Sequence, residues 1–205
     1  MLKIWGRTNS TNVKKALWCA EELGLKYERI DAGLQFGVVN TPEYRRMNPN
    51  GLVPAIEDDG FVLWESHAIV RYLAAKHGAG TLWPTDLKVR ADADRWMDWA
   101  NTMYAPLRSV FWGLIRTPAE KRDAGVIEEA RKKTAEYLGT LDATLAGKRY
   151  VAGERLTMGD IPLGSYVQVW MRLPIERPQQ PNLEAWFARL CERPAYRKTV
   201  DIALS

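Results

Sequence analysis

Cysteine is scarce. The 205 residues include two, Cys19 and Cys191, which lie far apart and form no CxxC pair. Neither a disulfide framework nor a zinc site is expected from them, and no metal is. Both read as structural helix residues, which fits reduced intracellular thiols. Long apolar runs are missing too: no stretch approaches the roughly 18 residues that a spanning helix needs. The opening MLKIWGRTNS carries no apolar segment of secretory length, so the expected location is the cytoplasm and no membrane partner is expected. A strongly basic module is also lacking. The net charge is +4 and the pI near 9.1, yet residues 1–80 hold 10 basic and 9 acidic side chains. Arg131-Lys132-Lys133 follows Glu128-Glu129 at helical spacing, a solvated face rather than a phosphate-binding stripe, and no nucleic-acid partner is expected.

What is present suffices for a sizeable core: 46% of residues are hydrophobic, and the length suits two small domains. Leu2 to Trp5 reads as a short strand. Val13 to Leu23 has apolar residues at 13, 16, 17, 20 and 23, as an amphipathic helix would, with Gly24 closing it. Tyr27 to Ile30 reads as a second strand, Pro42 to Met47 as a short helix. Val53 to Ile56, the turn Asp58-Asp59-Gly60 and Phe61 to Trp64 form a β-hairpin that runs into a helix over Ser66 to His77. This order is an α/β unit of thioredoxin type, residues 1–80.

Gly78 to Asp86 reads as a linker, and the remainder, 87–205, reads all-α. Trp96, Trp99, Met103, Leu107, Val110 and Leu114 mark one long helix, which Pro106 should kink. Val126, Ala130, Thr134, Tyr137, Leu141 and Leu145 mark another. Further helices are expected near 158–173, 182–192 and 194–202.

Four stretches carry chemistry or its support. Asn9-Ser10-Thr11-Asn12 sits where the first strand gives way to the first helix. Its side chains suit helix capping, and the same helix end favours an anion such as a thiolate. In Gly51-Leu52-Val53-Pro54 a cis bond before Pro54 would turn the N–H and C=O of Val53 outward to pair with a peptide-like ligand, although trans is the commoner isomer. Trp64-Glu65-Ser66-His67 places a carboxylate beside a hydroxyl and a helix start, partners for an ammonium and a carboxylate, while Ser66 also suits a helix cap. Leu156-Thr157-Met158-Gly159-Asp160-Ile161 fits a capping box and hydrophobic staple, with Thr157 as the cap.

The segments N-S-T-N-V, N-P-N-G-L-V-P, W-E-S-H-A-I-V-R-Y-L and L-T-M-G-D-I, in this order, resemble the cytosolic glutathione transferase family, serine-type, theta-like or nu-like, over essentially the whole chain. The resemblance implies a homodimer with glutathione as co-substrate, a role in detoxification and attack of the activated thiol on a small hydrophobic electrophile. It matches Ser10 to the active-site serine, with Asn9 and Thr11 as competing partners for the thiol. Asn12, Leu52, Val53, Pro54, Glu65 and Ser66 become the glutathione-binding residues. Val53 would meet the cysteinyl backbone, and Glu65 and Ser66 the γ-glutamyl end. The electrophile would lie against the first long helix, at Tyr104, Arg108, Phe111 and Trp112. Leu52 stands where some serine-type relatives have a lysine, so the glycyl carboxylate needs another anchor, Asn50 or a residue of loop 33–40. Two further readings remain: a glutathione-dependent disulfide reductase using the same pocket, and a non-catalytic binding module of the same fold.

Overall fold

Short apolar segments separated by turn residues give the N-terminal region a single sheet. In the computed structural model, which describes residues 1–204, the strands are β1 (Leu2–Trp5), β2 (Tyr27–Ile30), β3 (Ala55–Asp58) and β4 (Phe61–Trp64), in the order β2-β1-β3-β4. β1 runs parallel to β2, with Leu2 opposite Tyr27, and antiparallel to β3, with Ile4 opposite Ile56. The β3–β4 hairpin turns on Asp59 and Gly60, both at positive φ, the backbone that a tight hairpin needs. β3 starts at Ala55 and not at Val53 as expected, because Pro54 has no N–H to give to the ladder. Helices α1 (Thr11–Glu22), α2 (Pro42–Met47) and α3 (Ser66–His77) complete this part.

Beyond it the chain is helical: α4 (Leu87–Phe111), α5 (Ala124–Leu145), α6 (Asp160–Arg172), α7 (Pro181–Glu192) and α8 (Pro194–Thr199). α4 continues through Pro106 and ends in a wide π-type turn at Trp112–Arg116. On α5 the buried residues are Thr134, Leu138, Leu141 and Leu145, while Val126 is exposed. The spacing thus gave the right face but not its depth. The expected linker is tied down: Ala79 pairs with Trp83, and the Met158 N–H donates to the Leu82 carbonyl at 2.9 Å.

The two parts share one core in which α1 packs on α3, α6 and α8. A Cβ at Gly164 would meet the Trp18 ring at 2.8 Å, so glycine is what lets α6 close on α1. Arg193 grips the Glu22 carboxylate with two nitrogens at 2.7 and 2.6 Å, and Trp18 Nε1 donates to the same carboxylate.

The α6 start departs from the expected capping box. Gly159 occupies the cap position, and the Thr157 hydroxyl donates to Asp160 instead of accepting a helix N–H. The fully buried Asp160 is the hub, accepting from the Thr157 N–H at 2.9 Å, the Val151 N–H at 3.0 Å and Trp186 Nε1 at 3.0 Å. Burial nonetheless raises its pKa to about 6. Asp160→Ala leaves four buried donors, the Thr157 hydroxyl among them, without their acceptor and is expected to cost about 3 kcal/mol or more in urea unfolding. Thr157→Val, which removes only one hydroxyl, should cost about 1 kcal/mol.

Candidate active site

Three strand-to-helix or loop-to-strand junctions meet at one end of the sheet. At the first, Ser10 is the cap residue of α1, in extended backbone and nearly buried, yet its side chain makes no capping bond. The capping role expected within Asn9–Asn12 is therefore not realised at the cap position, and the Ser10 hydroxyl is not spent on its own helix. At the second, the Val53–Pro54 bond is cis. Neither the N–H nor the C=O of Val53 pairs with backbone among the described residues. The loop before it is braced: the Leu52 carbonyl accepts from Tyr44 Oη and Asn48 Nδ2, each at 2.8 Å, and Asn50 Nδ2 donates to Asn48 Oδ1.

At the third junction Glu65, and not Ser66, is the cap residue of α3, at φ 74°. A non-glycine residue in this left-handed region carries strain of about 1–3 kcal/mol. Ser66 is the first helical residue, and its hydroxyl faces Lys15 Nζ at 3.3 Å.

Lys15 is fully buried. Its ammonium reaches Asn12 Oδ1 at 3.0 Å, His67 Nε2 at 2.9 Å and the Tyr166 hydroxyl, and lies 4.0 Å above the Tyr166 ring. One cation thereby binds α1 to α3 and α6. Burial holds its pKa well below the ordinary lysine value, partly opposed by Glu65. Burial and the neighbouring Lys15 push His67 far down, so its ring is neutral. Lys14, one residue earlier, points the other way, donating to Gln168 Oε1 at 3.2 Å and the Val200 carbonyl at 3.0 Å. Its pKa falls to about 8 through burial, against the pull of Asp201.

The junctions open into a cleft of about 360 Å³, a volume typical of small-molecule sites. Every candidate residue lines it: Asn9, Ser10, Thr11, Asn12, Leu52, Val53, Pro54, Glu65 and Ser66 on one side, Tyr104, Arg108, Phe111 and Trp112 of α4 and its terminal turn on the other. Asn50, considered as an anchor, lines it too, as does Leu34 of the 33–40 loop. Tyr104 stacks on Tyr166 at 4.1 Å with planes 8° apart. Arg7, Asn48 and Arg116 also line the cleft and escaped the sequence reading. Nothing local marks them: Arg7 lies in a loop without periodicity, and Arg116 is brought inward by the π-type turn. Among the described residues no group of His, Cys, Asp or Glu gathers as a metal would require, and no helix is long and apolar enough to cross a membrane.

With this geometry in view, comparison with known proteins is decisive. The glutathione S-transferase N-terminal domain family matches residues 1–75, and the C-terminal domain family matches residues 102–194. The chain is 44% identical over 208 residues to glutathione S-transferase GstB of Escherichia coli strain K12, covering 100% of both. It belongs to the glutathione S-transferase family. Its transferase-family likeness extends to maize (Zea mays) glutathione S-transferase 3, 32% identical over 97% of this chain and 93% of that one. Among solved structures, the theta class glutathione S-transferase of Xanthomonas axonopodis pv. citri with glutathione bound is similar at a TM-score of 0.96. It is 51% identical, covering 100% of this chain and 99% of that one.

The paired lysines of α1 give a measurable signature. Between pH 8 and 10.5 the unfolded chain binds the Lys14 proton and the folded chain does not, so this residue's contribution to stability rises with pH. In urea unfolding the parent should gain about 3 kcal/mol on Lys14→Met between pH 7.5 and 10.5. A constant difference between the two would place Lys14 at an ordinary pKa.

Proposed function

We propose that this chain is a glutathione transferase in which the start of α1 holds the glutathione thiol as a thiolate for attack on an electrophilic carbon. The observation that carries the reading is the convergence of an uncapping serine, an unpaired Val53 peptide before a cis-proline, and the Glu65-Ser66 junction in one cleft. This set fits a γ-glutamyl tripeptide group by group. Val53 N–H and C=O pair with the cysteinyl backbone as an added strand would. Glu65 takes the ammonium, and Ser66 with the first N–H groups of α3 takes the γ-glutamyl carboxylate. Asn12, Leu52 and Pro54 shape the walls around it, and Asn50 or Leu34 lies by the glycyl end.

Glutathione thiol is a weak nucleophile while protonated, so the protein must favour the charged sulfur. The Ser10 hydroxyl donates to it, and the positive end of α1 adds its field. Asn9 and Thr11 are the competing donors. Residues 1–80 form the glutathione domain and 87–205 the domain that adds the electrophile wall of Tyr104, Arg108, Phe111 and Trp112. A homodimer acting in cytoplasmic detoxification completes the reading. The exposed apolar Phe61, Trp64, Leu87 and Val89 support an interface between copies. A route through an enzyme mixed disulfide is disfavoured, since neither cysteine lines the cleft and burial pushes up both thiols, Cys19 fully buried and Cys191 half-buried.

Ser10→Ala and Asn9→Ala, assayed with an aryl halide and with hydroxyethyl disulfide, test the assignment. Loss of one thiolate donor should lower kcat/KM with the aryl halide by about 10²-fold and raise the pKa of bound glutathione, read from its ultraviolet thiolate band. A bound thiol as weakly acidic as in free solution, or folded protein that passes through a glutathione column unretained, would sink the reading.

A further inference from the structure

We propose that Lys15 is a positioning residue for the glutathione site: a cation that can only donate, set behind the wall of the cleft, which turns the hydrogens of Ser66 and Asn12 outward to meet an anionic ligand. The inference rests on the transferase reading and assigns to one side chain the preference of its γ-glutamyl pocket for a carboxylate. An ammonium donates through three hydrogens and accepts through none. Any hydroxyl or amide that pairs with it therefore offers an oxygen, and its own hydrogens are left to point elsewhere.

That rule orients three side chains. The Tyr166 hydroxyl accepts from Lys15 and passes its hydrogen on to Asn101 Oδ1, at 3.4 Å on α4. Asn12 accepts through Oδ1 at 3.0 Å, which turns its amide hydrogens away from Lys15, and it lines the cleft. Ser66 accepts through Oγ at 3.3 Å, and its hydroxyl hydrogen finds no acceptor among the described residues, although the side chain is buried and also lines the cleft. Tyr166 thus has on its far side what Ser66 lacks. A carboxylate held against the first turn of α3 completes the same chain, and the positive end of that helix favours it. Lys15 itself is fully buried and does not line the cleft, so it acts through Ser66 and Asn12 and not by touching the ligand. Burial works against its charge, and Glu65 restores part of it.

The probes are glutathione and its γ-glutamyl α-carboxamide, alike in shape but differing in that one carboxylate, each assayed with saturating 1-chloro-2,4-dinitrobenzene. Parent enzyme should favour glutathione by at least about tenfold in KM, as charge-assisted hydrogen bonds predict. Lys15→Met keeps the stem and removes the cation. It should cut that preference to the level of Ser66→Ala, with the double variant no lower. Lys15→Arg, again a cation that accepts nothing, should keep the preference. A lysine that merely props the walls would instead raise KM for both probes alike and would add to the effect of Ser66→Ala.

An undiminished preference in folded Lys15→Met overturns the proposal. Where that variant does not fold, the arginine variant decides, and a preference lost there overturns it as well. Equal KM values for the two probes in the parent, with both turned over, also sink it and leave the transferase standing. Turnover of neither probe by folded protein that a glutathione column does not retain removes the transferase reading itself.

Discussion

A lysine ammonium sealed away from water holds the walls of the cleft in register. Lys15 touches Asn12 on its own helix, Ser66 and His67 on α3, and Tyr166 on α6, so one side chain ties the sheet-bearing part to the helical part beneath the cleft. A buried cation is costly unless its donors are filled. Here hydroxyls, an amide oxygen, an imidazole and a ring face fill them, with no carboxylate in direct contact among the described residues. Because Tyr166 in turn stacks on Tyr104, the same network that sets Ser66 also sets the aromatic wall opposite. Under the proposed function, the γ-glutamyl pocket and the electrophile pocket would share a single rigid support.

Much of this was legible in the sequence wherever a local rule decides the outcome. Leu2 to Trp5 and Phe61 to Trp64 are strands because short, largely apolar runs end at turn residues, and Ser66 to His77 is a helix because Ile69 and Leu73 share a face. The candidate residues share one cleft because each sits at a strand end or on the facing side of α4. What escaped were features that depend on burial. Lys14 and Lys15 fall between the apolar positions 13, 16 and 17 that marked an amphipathic helix, yet lie inside, since α1 is covered from both sides. Thr157 and Asp160 matched a familiar pattern, but the tertiary partners Val151 and Trp186 made the carboxylate the centre of the motif. Ser10 matched a capping preference and did not cap.

These departures share a physical pattern. Ser10 leaves a helix start unsatisfied by its own side chain, Val53 sits outside the ladder, and Glu65 takes a disfavoured backbone. Under the proposed function, these three departures fall where groups would face glutathione, as expected when a fold gives up some stability at its site.

The left-handed backbone of Glu65 has a consequence for how this cleft can change over time. Its dihedral angles would suit glycine, while the amine recognition proposed for it would require an acid. A drift to glycine would relax the chain and erase the carboxylate together, with no intermediate that serves both demands. Under the proposed function the position is therefore a ratchet: once amine recognition moved elsewhere in a descendant, the strained acid would have nothing left to retain it.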